Sequence, residues 1–473
     1  MEDKEVMEKM GKRQELTRRF NIFTIFGLSM TLLSSWEAIG GALGVGLLAG
    51  GPVALIYGLI FTLSGTLACA ASIAEMASIC PISGAQYHWT YMFAPKRFRV
   101  LITFIQATIT SLAFIMAAQL QGVVVLNHHS YVFERWHTTL IMWLVVGITY
   151  IVNVWGIKLL PAFELFSGVL HILLFVVLFI VMLVFGRNAS AKFVFTGFVN
   201  ETGWENKSVA WFIGLLPCIW CIVGFDGAIH LSEETSNSAR TIPKVIITTV
   251  LVNGGMAWTF VLLCLFSISN ITDVLETPTG YPLIEIMHQV SKTRAGATAI
   301  MSFTLSITMA AMFGTLASVS RLTWAFARDD GLPFSEYFKH VDGGHNIPIR
   351  AISLVSVVII LLSLINIGSS TALNAILSLS TIALYISYII PISCLVSMRL
   401  RVKNTIYSSA GQAEISEERL VFGPWNLGQW GFLPLTVTTM NYAGPVFGFV
   451  LLFAGMDFIV RGRRNFVGPT RER

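Results

Sequence analysis

The 473-residue sequence is 55% hydrophobic and only 12% charged, whereas a soluble domain carries about 25% charged residues. Most of the surface therefore cannot face water. Runs without Asp, Glu, Lys or Arg, such as 38–74 and 351–398, exceed the roughly 20 apolar residues that cross a bilayer as a helix. They do not alternate with a period of two, which excludes a transmembrane β-barrel. Composition thus predicts an all-α polytopic membrane protein that has the lipid bilayer as its solvent.

The apolar segments predict eleven spans. In chain order these spans are 22–49, 52–74, 99–126, 138–157, 162–186, 209–231, 243–268, 294–327, 349–367, 370–398 and 437–460. They divide the chain into a cytoplasmic tail (1–20), a ten-span core (21–398), a cytoplasmic loop (399–436), a final span (437–460) and a basic tail (461–473).

The loop charges predict the orientation. Lys and Arg concentrate in the loops that are cytoplasmic when the N-terminus is inside. Glycosylation sequons all fall in the opposite loops, where glycosylation requires its acceptor; they begin at Asn188, Asn200, Asn206 and Asn270. We therefore expect a cytoplasmic N-terminus and treat these four as glycosylation candidates, with the plasma membrane favoured over the vacuolar membrane.

Two spans, five apart in the chain, carry glycines around an intramembrane acid. Span 1 has Glu37 in LLSSWEAIGGALGVG, and span 6 has Asp226 in PCIWCIVGFDGAIH. In transporters built from inverted repeats, matching helices are interrupted so that bare peptide groups bind substrate or ion. A carboxylate inside the membrane is itself a functional hypothesis. The alternative is that the glycines only allow close helix packing.

Other candidates have two interpretations each. His171, mid-way along span 5, is either a packed core residue or a proton site, since imidazole titrates near neutral pH. Trp220, one turn before the span 6 interruption, either closes over a ligand or packs. Charged residues near the cytoplasmic ends of spans are either solvated loop charges or an inner gate of ion pairs; they are Glu75, Glu233, Glu234, Arg240 and Arg321.

Several segments resemble the fungal amino-acid, GABA and choline permeases of the amino acid–polyamine–organocation superfamily. They are LSSWEAIGGALGVGLLAGGP, AEMASICPISGAQYHWTYMFAP, GFDGAIHLSEETSNSARTIPKVI, LASVSRLTWAFARDDGLPFS and ALYISYIIPI. The resemblance covers roughly residues 15–470. It implies a leucine-transporter-type core of five plus five inverted-repeat helices, with helices 1 and 6 broken and the substrate held between them. It also implies proton rather than sodium symport.

The resemblance further implies a set of substrate-binding residues. The unwound part of span 1 would include Ser35, Trp36, Glu37 and Ala38, with Gly40 just beyond. That of span 6 would include Cys221, Ile222, Val223, Gly224, Phe225 and Asp226, with Trp220 as an aromatic gate. His171 falls where some bacterial relatives carry a lysine proposed to bind the coupling proton. One departure is that the family's eleventh span is missing here. With eleven spans the Arg-rich tail would lie outside, against the charge bias of the other loops, and the missing span would account for this.

Together these observations predict a secondary active transporter of a small amine or amino acid that works by alternating access and is coupled to protons. Glu37 would attract the cationic group of the substrate. The alternative is a non-transporting nutrient sensor or an inactive truncated permease. The sequence carries no metal-ligand cluster, nucleophile elbow or phosphate-binding loop, so we expect neither an enzyme nor a cofactor. The net charge of +5 reflects the loop bias rather than nucleic-acid binding.

Overall fold

The computed structural model describes residues 7–8, 10–93, 113–128, 130–132, 134–186, 189–344, 346–369, 373, 384–398 and 423–427. This part of the chain is helical, with turns and isolated β-bridges between helices. Eight of its helices are long and apolar enough to cross a membrane, which confirms the all-α polytopic prediction. Some predictions lie outside the described residues, namely the final span 437–460, the basic tail 461–473, the missing eleventh span, most of loop 399–436 and Asn188.

The described part of the chain forms long membrane-length helices joined by much shorter ones. In chain order the helices are α1 (Ile22–Leu33), α2 (Ser35–Leu48), α3 (Gly51–Ile79), α4 (Ala85–Phe93), α5 (Ala113–Asn127), α6 (Arg135–Trp155), α7 (Leu160–Phe185), α8 (Ala191–Thr196), α9 (Lys207–Trp220), the 3₁₀ helix η1 (Phe225–Glu234), α10 (Ser238–Ser267), α11 (Ile271–Leu275), α12 (Pro282–Ser291), α13 (Arg294–Arg328), α14 (Ser335–Phe338), α15 (Ile349–Ser363), α16 (Ile365–Gly368) and α17 (Leu384–Met398).

The observed helices agree with the predicted spans to within a few residues where the chain is described. Helices α1 and α2 together form span 1, and α9 with η1 forms span 6. Spans 3 and 10 are described only in their second halves, as α5 and α17. Apolar runs locate spans well because the hydrocarbon thickness fixes the length that must be apolar.

Both predicted interruptions are present. Asn21 caps α1 through a capping box with Thr24, and α1 ends at Ser34, whose φ of 36° and ψ of 47° are left-handed. In span 6, α9 ends at Trp220 and η1 begins after the non-helical stretch Cys221–Gly224, in which Gly224 has a φ of 90°. Left-handed geometry at one residue redirects the chain, so each span becomes two half-helices.

The extent of unwinding differs from the prediction. The resemblance placed Ser35, Trp36, Glu37 and Ala38 in the unwound part of span 1, yet all four lie in the first turn of α2, followed by Gly40. The prediction was wrong because the break in span 1 is made by Ser34 alone, so that α2 begins at the next residue. Phe225 and Asp226 likewise open η1 and are not unwound.

Helix α7 has one exposed apolar face and one buried face that carries its polar residues. One face exposes large apolar side chains such as Phe166, Leu173 and Val177, as expected for contact with acyl chains. The opposite face packs on α1 so closely that a Cβ atom on Gly168 would lie 2.8 Å from the Cα atom of Gly27. The polar residues of α7 lie on this buried face, which places them against the first broken helix.

Candidate functional site

Glu37 and His171, singled out separately by the sequence, are in direct contact. Glu37 lies in the first turn of α2, and its Oε1 is 2.7 Å from Nδ1 of His171 on α7. His171 is fully buried and Glu37 is 7% exposed. The N-terminus of α2 adds a favourable dipole for the negative charge of Glu37. The first half-helix break therefore holds an acid–imidazole pair within the bundle.

Asn253 of α10 completes this group. Its Oδ1 accepts the Ser35 N–H at 3.3 Å and lies 3.2 Å from Nε2 of His171. The Ser35 donor fixes which end of the amide faces the imidazole. Both nitrogens of His171 therefore face acceptors, whereas a neutral imidazole has only one N–H to donate. A neutral imidazole therefore supplies a hydrogen to only one of these two contacts.

The same group has unused hydrogen-bonding capacity. Among the described residues, neither Oε2 of Glu37 nor Nε1 of Trp36 has a partner, and both atoms are buried. The Trp36 ring stacks on His171 with centroids 5.8 Å apart and lies 5.1 Å from the Phe260 ring. A buried acceptor without a donor costs about 1–3 kcal/mol. A donor supplied by a ligand would satisfy Oε2 of Glu37, whereas packing alone leaves this oxygen without a partner.

Asp226, the acid of span 6, is held differently. Tyr388 of α17 donates to its Oδ1 at 2.6 Å, and the Gln86 amide of α4 donates to its Oδ2. His230, one turn along η1, lies 3.3 Å from Oδ2 and contacts the Ser83 carbonyl at 2.9 Å. Both carboxylate oxygens thus have protein partners. This favours an orienting role for Asp226, which fixes η1 against α4 and α17.

The two interruptions lie side by side. The Leu32 side chain at the end of α1 would be 3.8 Å from a Cβ atom on Gly224. Cys221 and Ile222 are buried, whereas Val223 and Gly224 are half-buried, as is Trp220 at the end of α9. Phe225 packs on the Tyr388 ring with centroids 4.8 Å apart. The non-helical peptide groups of span 6 therefore lie beside the first break, as a shared site requires.

A second ionic group, the ion-pair cluster, joins η1 to the end of α13. Arg328 pairs with Glu233 through two bonds of 3.0 Å, and Nε of Arg321 lies 2.7 Å from Glu234. All four side chains of this cluster are nearly or fully buried. The structure thus brings together Glu233, Glu234 and Arg321 as an inner gate would require, and adds Arg328. Of the other two gate candidates, Glu75 accepts the Leu427 N–H at 2.8 Å, and Arg240 is exposed at the start of α10.

The N-terminal segment packs on this cluster. Lys12 pairs with Asp329 at 2.6 Å, with both side chains almost fully buried, and Tyr87 donates to the other oxygen of Asp329 at 2.8 Å. The N–H groups of Arg19 and Phe20 donate to the Glu234 carbonyl. Next to this group, burial lowers the pKa of His88 to about 4, so that this histidine adds no charge at neutral pH. The segment 12–20 therefore closes this end of the bundle.

Comparison with known proteins identifies the family. A family profile described as amino acid permease matches residues 20–466. The chain belongs to this family. Similar proteins include the choline transporter of Saccharomyces cerevisiae, at 27% identity over 95% of this chain and 83% of that protein. A putative amino acid/polyamine transporter of Macrophomina phaseolina is 30% identical over 90% of this chain and 93% of that protein. The GABA-specific permease of Saccharomyces cerevisiae is 27% identical over 99% of this chain and 86% of that protein.

Membership confirms the resemblance found in the sequence and makes the chain a membrane transporter rather than an enzyme. It does not favour the non-transporting sensor, because the relatives are named as transporters and permeases. The identity of the residues that bind substrate stays a prediction for this permease.

Sequence reasoning missed several residues of the permease that the structure places at these sites. Glu164 lies seven residues before His171 on the same helix, fully buried; the intramembrane-acid criterion that found Glu37 also finds it. The others gave no local signal, because their partners are distant in the chain; they are Lys12, Gln86, Asn253 and Tyr388.

The sequons of the permease lie at exposed or half-buried turns. Asn206 and Asn270 are exposed and cap α9 and α11 through their side-chain oxygens. Asn200 is half-buried and donates to the Trp204 carbonyl at 2.7 Å. Glycosylation at these positions stays a prediction.

Proposed function

We propose that this permease transports a small amine or amino acid and that Glu37 binds the cationic nitrogen of the substrate. The observation that carries the proposal is the buried Oε2 of Glu37, which has no hydrogen-bond partner among the described residues. An ammonium group would supply that donor and neutralise the carboxylate. The named functions of the relatives, choline, GABA and amino-acid or polyamine transport, share such a nitrogen.

The two helix interruptions supply the other proposed contacts with the substrate. Trp36 lies beside Glu37, and Trp220 lies at the end of α9, so their rings support cation–π contact with the same nitrogen. The N-terminus of α2 and the peptide groups of Cys221–Gly224 suit a substrate carboxylate where one is present. The backbone of both breaks completes the proposed site; its residues are Ser35, Ala38, Gly40, Ile222, Val223, Gly224 and Phe225, with Asp226 holding η1 in place.

Proton coupling is proposed at the Glu37–His171 pair. Loss of the shared proton leaves a lone pair of His171 facing either Glu37 or Asn253, at 2.7 Å or 3.2 Å. Because α2, α7 and α10 meet at these three side chains, that repulsion loosens the junction between them. Protonation therefore favours the conformation in which the binding site is assembled, which is a coupling free energy between proton and substrate.

We further propose that the N-terminus is cytoplasmic and that the ion-pair cluster is the inner gate, closed in this conformation, with the plasma membrane as the site of function. The Lys and Arg bias of the loops supports this orientation. The burial of Glu233, Glu234 and Arg321 and the packing of segment 12–20 on them support a closed inner face. Opening would then require these pairs to separate as the half-helices move.

The experiment is uptake into liposomes that contain the purified permease, with an imposed pH gradient. Radiolabelled choline, GABA and mixed amino acids are the probes, each competed by the others. Glu37→Gln should lose about 1.5–3 kcal/mol of binding, the value of a hydrogen bond to a charged group, which is roughly a 10- to 100-fold loss of apparent affinity. Glu201→Gln is the matched control, because Glu201 is an exposed loop acid. Unchanged affinity in Glu37→Gln would reject the proposed role of Glu37.

A further inference from the structure

Glu164 is a buried acid that the proposed cycle does not yet use. It lies one turn into α7 and is 0% exposed. Its Oε2 lies 2.7 Å from the Thr31 hydroxyl of α1, while its Oε1 is buried without a hydrogen-bond partner among the described residues. In the part of the chain that the structure describes, no ion pair includes it.

The surroundings of Glu164 are sealed. A Cβ atom on Gly27 would lie 2.8 Å from the Glu164 carbonyl oxygen, and one on Gly314 of α13 would lie 3.3 Å from Oε1. The backbones of α1 and α7 therefore meet at Gly27 without side chains between them, and Glu164 itself is fully buried. Since an uncompensated buried charge costs several kcal/mol, burial favours the neutral carboxylic acid at this position.

The hydrogen bonds of Thr31 agree with a protonated Glu164. The Thr31 hydroxyl lies 3.0 Å from the Leu28 carbonyl and 3.2 Å from the Gly27 carbonyl, and it has one hydrogen to donate. If that hydrogen goes to a helix carbonyl, the contact with Oε2 needs the hydrogen to come from Glu164. A chain from Glu164 to Thr31 to Leu28 then satisfies every donor in it.

Charged groups on the neighbouring helices do not replace the proton. The helices packed on α7 include α1, α10, α12 and α13, and α2 reaches α7 through Glu37, which is in contact with His171. The described residues of α1 include no titratable side chain. Arg321 and Arg328 of α13 pair with glutamates of η1, and Glu285 and His288 of α12 lie 4.0 Å from each other. The remaining titratable side chains on these helices are the exposed Arg240, Lys244 and Arg294 and the buried Cys264, which carries no positive charge.

Glu164 also lies in line with the proposed proton site. It precedes His171 by seven residues, two helical turns, so both side chains project from the same face of α7 toward α1. Between them lie the buried Ser167 and Gly168. Glu164 is the nearer of the two to the end of α7 that we assign to the cytoplasm.

We propose that Glu164 is a second proton-binding site, on the cytoplasmic side of the Glu37–His171 pair, from which the coupling proton leaves. The inference rests on the proposed function for its direction. When α1 tilts away from α7, water reaches Glu164, its O–H bond breaks, the proton passes to water and the electron pair stays on the carboxylate. Return of α1 requires Glu164 to take up a proton from the Glu37–His171 pair, because the close contact between α1 and α7 does not accept the charge. The half-helix movement and proton release are thereby linked at one residue.

The test combines spectroscopy with transport in proteoliposomes. The infrared difference spectrum between acidic and alkaline buffer should contain a carboxylic-acid C=O band that is absent in Glu164→Gln, shifted in Thr31→Val and retained in Glu201→Gln. Glu164→Gln should keep exchange of radiolabelled choline, GABA or amino acid across the membrane but lose accumulation driven by a pH gradient. The Thr31→Val band keeps the test decisive where Glu164→Gln does not fold.

Two results would overturn the inference, namely a Glu164→Gln spectrum identical to that of the wild type, or full gradient-driven accumulation in that variant. The proposed function fails separately. If the wild-type permease shows no accumulation with any of the probes, the proposed function and the proposed direction of proton movement are rejected. The infrared band still decides whether Glu164 carries a proton.

Discussion

The membrane-centre group and the ion-pair cluster both bury carboxylates, but they satisfy them differently. In the cluster, Glu233 has a two-bond contact with Arg328, and Glu234 contacts Arg321 at 2.7 Å. In the centre, Glu37 contacts only His171 through one oxygen, and its other oxygen has no partner among the described residues. In the cluster each glutamate is paired with an arginine, although Oε2 of Glu234 also lacks a hydrogen bond within the described part of the chain. In the centre, no described Lys or Arg pairs with Glu37.

This difference separates closure from binding. A buried pair of opposite charges needs no further ligand, so its natural role is to hold two elements together until they part. A buried acid that lacks a donor is costly until something supplies one. Glutamate therefore serves as part of the proposed gate on η1 and as a candidate ligand-binding group on α2. The side chains that surround each glutamate determine which role it takes.

Arg328→Ala should give the largest loss of stability. It leaves Glu233 buried and uncompensated, which costs about 3–5 kcal/mol, and it removes the stacking of the guanidinium on Trp324 at 4.4 Å. Thermal unfolding in detergent, followed by tryptophan fluorescence, measures the effect. The double variant Glu233→Gln with Arg328→Met should recover much of it, because no charge is then left alone. A single variant as stable as the wild type would mean that the cluster is not held by its charges.

His171→Gln should change transport more than stability. Glutamine keeps a donor and an acceptor of similar reach but cannot take up a proton, so the proposed coupling proton has no site on this side chain. Initial uptake rates measured from about pH 5 to about pH 8, the range in which histidine titrates, should become flat. We expect unfolding to shift by about 1.5–3 kcal/mol at most, the value of one hydrogen bond to a charge. A pH profile that matches the wild type would remove His171 from proton coupling.

Gly224→Ala tests whether the centre depends on its backbone as well as its side chains. Space is not the obstacle, since the nearest atom would be 3.8 Å from the new Cβ, but the φ of 90° is unfavourable for an L-residue. We expect a loss of about 1–2 kcal/mol in thermal unfolding, together with weaker uptake. Gly147→Ala in α6 is the control, because nothing lies within 4 Å of its Cβ and helical alanine gains about 0.5–1 kcal/mol over glycine. Equal effects of the two variants would contradict a special role for the break.

The spans and both breaks could be predicted from the sequence because their signals are local. Apolar length locates a helix, and Gly224 beside Asp226 marks a break within a few residues. The extent of unwinding could not be predicted, since a single left-handed residue, Ser34, is enough to make the break in span 1, and no local pattern sets that number.

Pairings were harder to predict than positions. Glu37 and His171 were each identified as candidates, but they are 134 residues apart, and Lys12 and Asp329 are 317 apart. Contacts of this kind depend on which helices pack together, which no single segment encodes. Glu164 is different, because an acid in an apolar run is a local signal that the sequence itself carries.

Arg240→Ala should have the smallest effect, and it sharpens the contrast between buried and exposed charge. The sequence grouped Arg240 with Arg321 as a gate residue, but Arg240 is exposed at the start of α10 whereas Arg321 is 0% exposed. Solvent screens an exposed charge, so its contribution is within about 0.5 kcal/mol. Thermal unfolding and uptake of Arg240→Ala, measured beside Arg321→Ala, should therefore differ widely, with only the second variant impaired. If Arg240→Ala also lost transport, Arg240 would have to join the gate in another conformation of the cycle, and burial in this one would no longer tell gate residues from solvated charges.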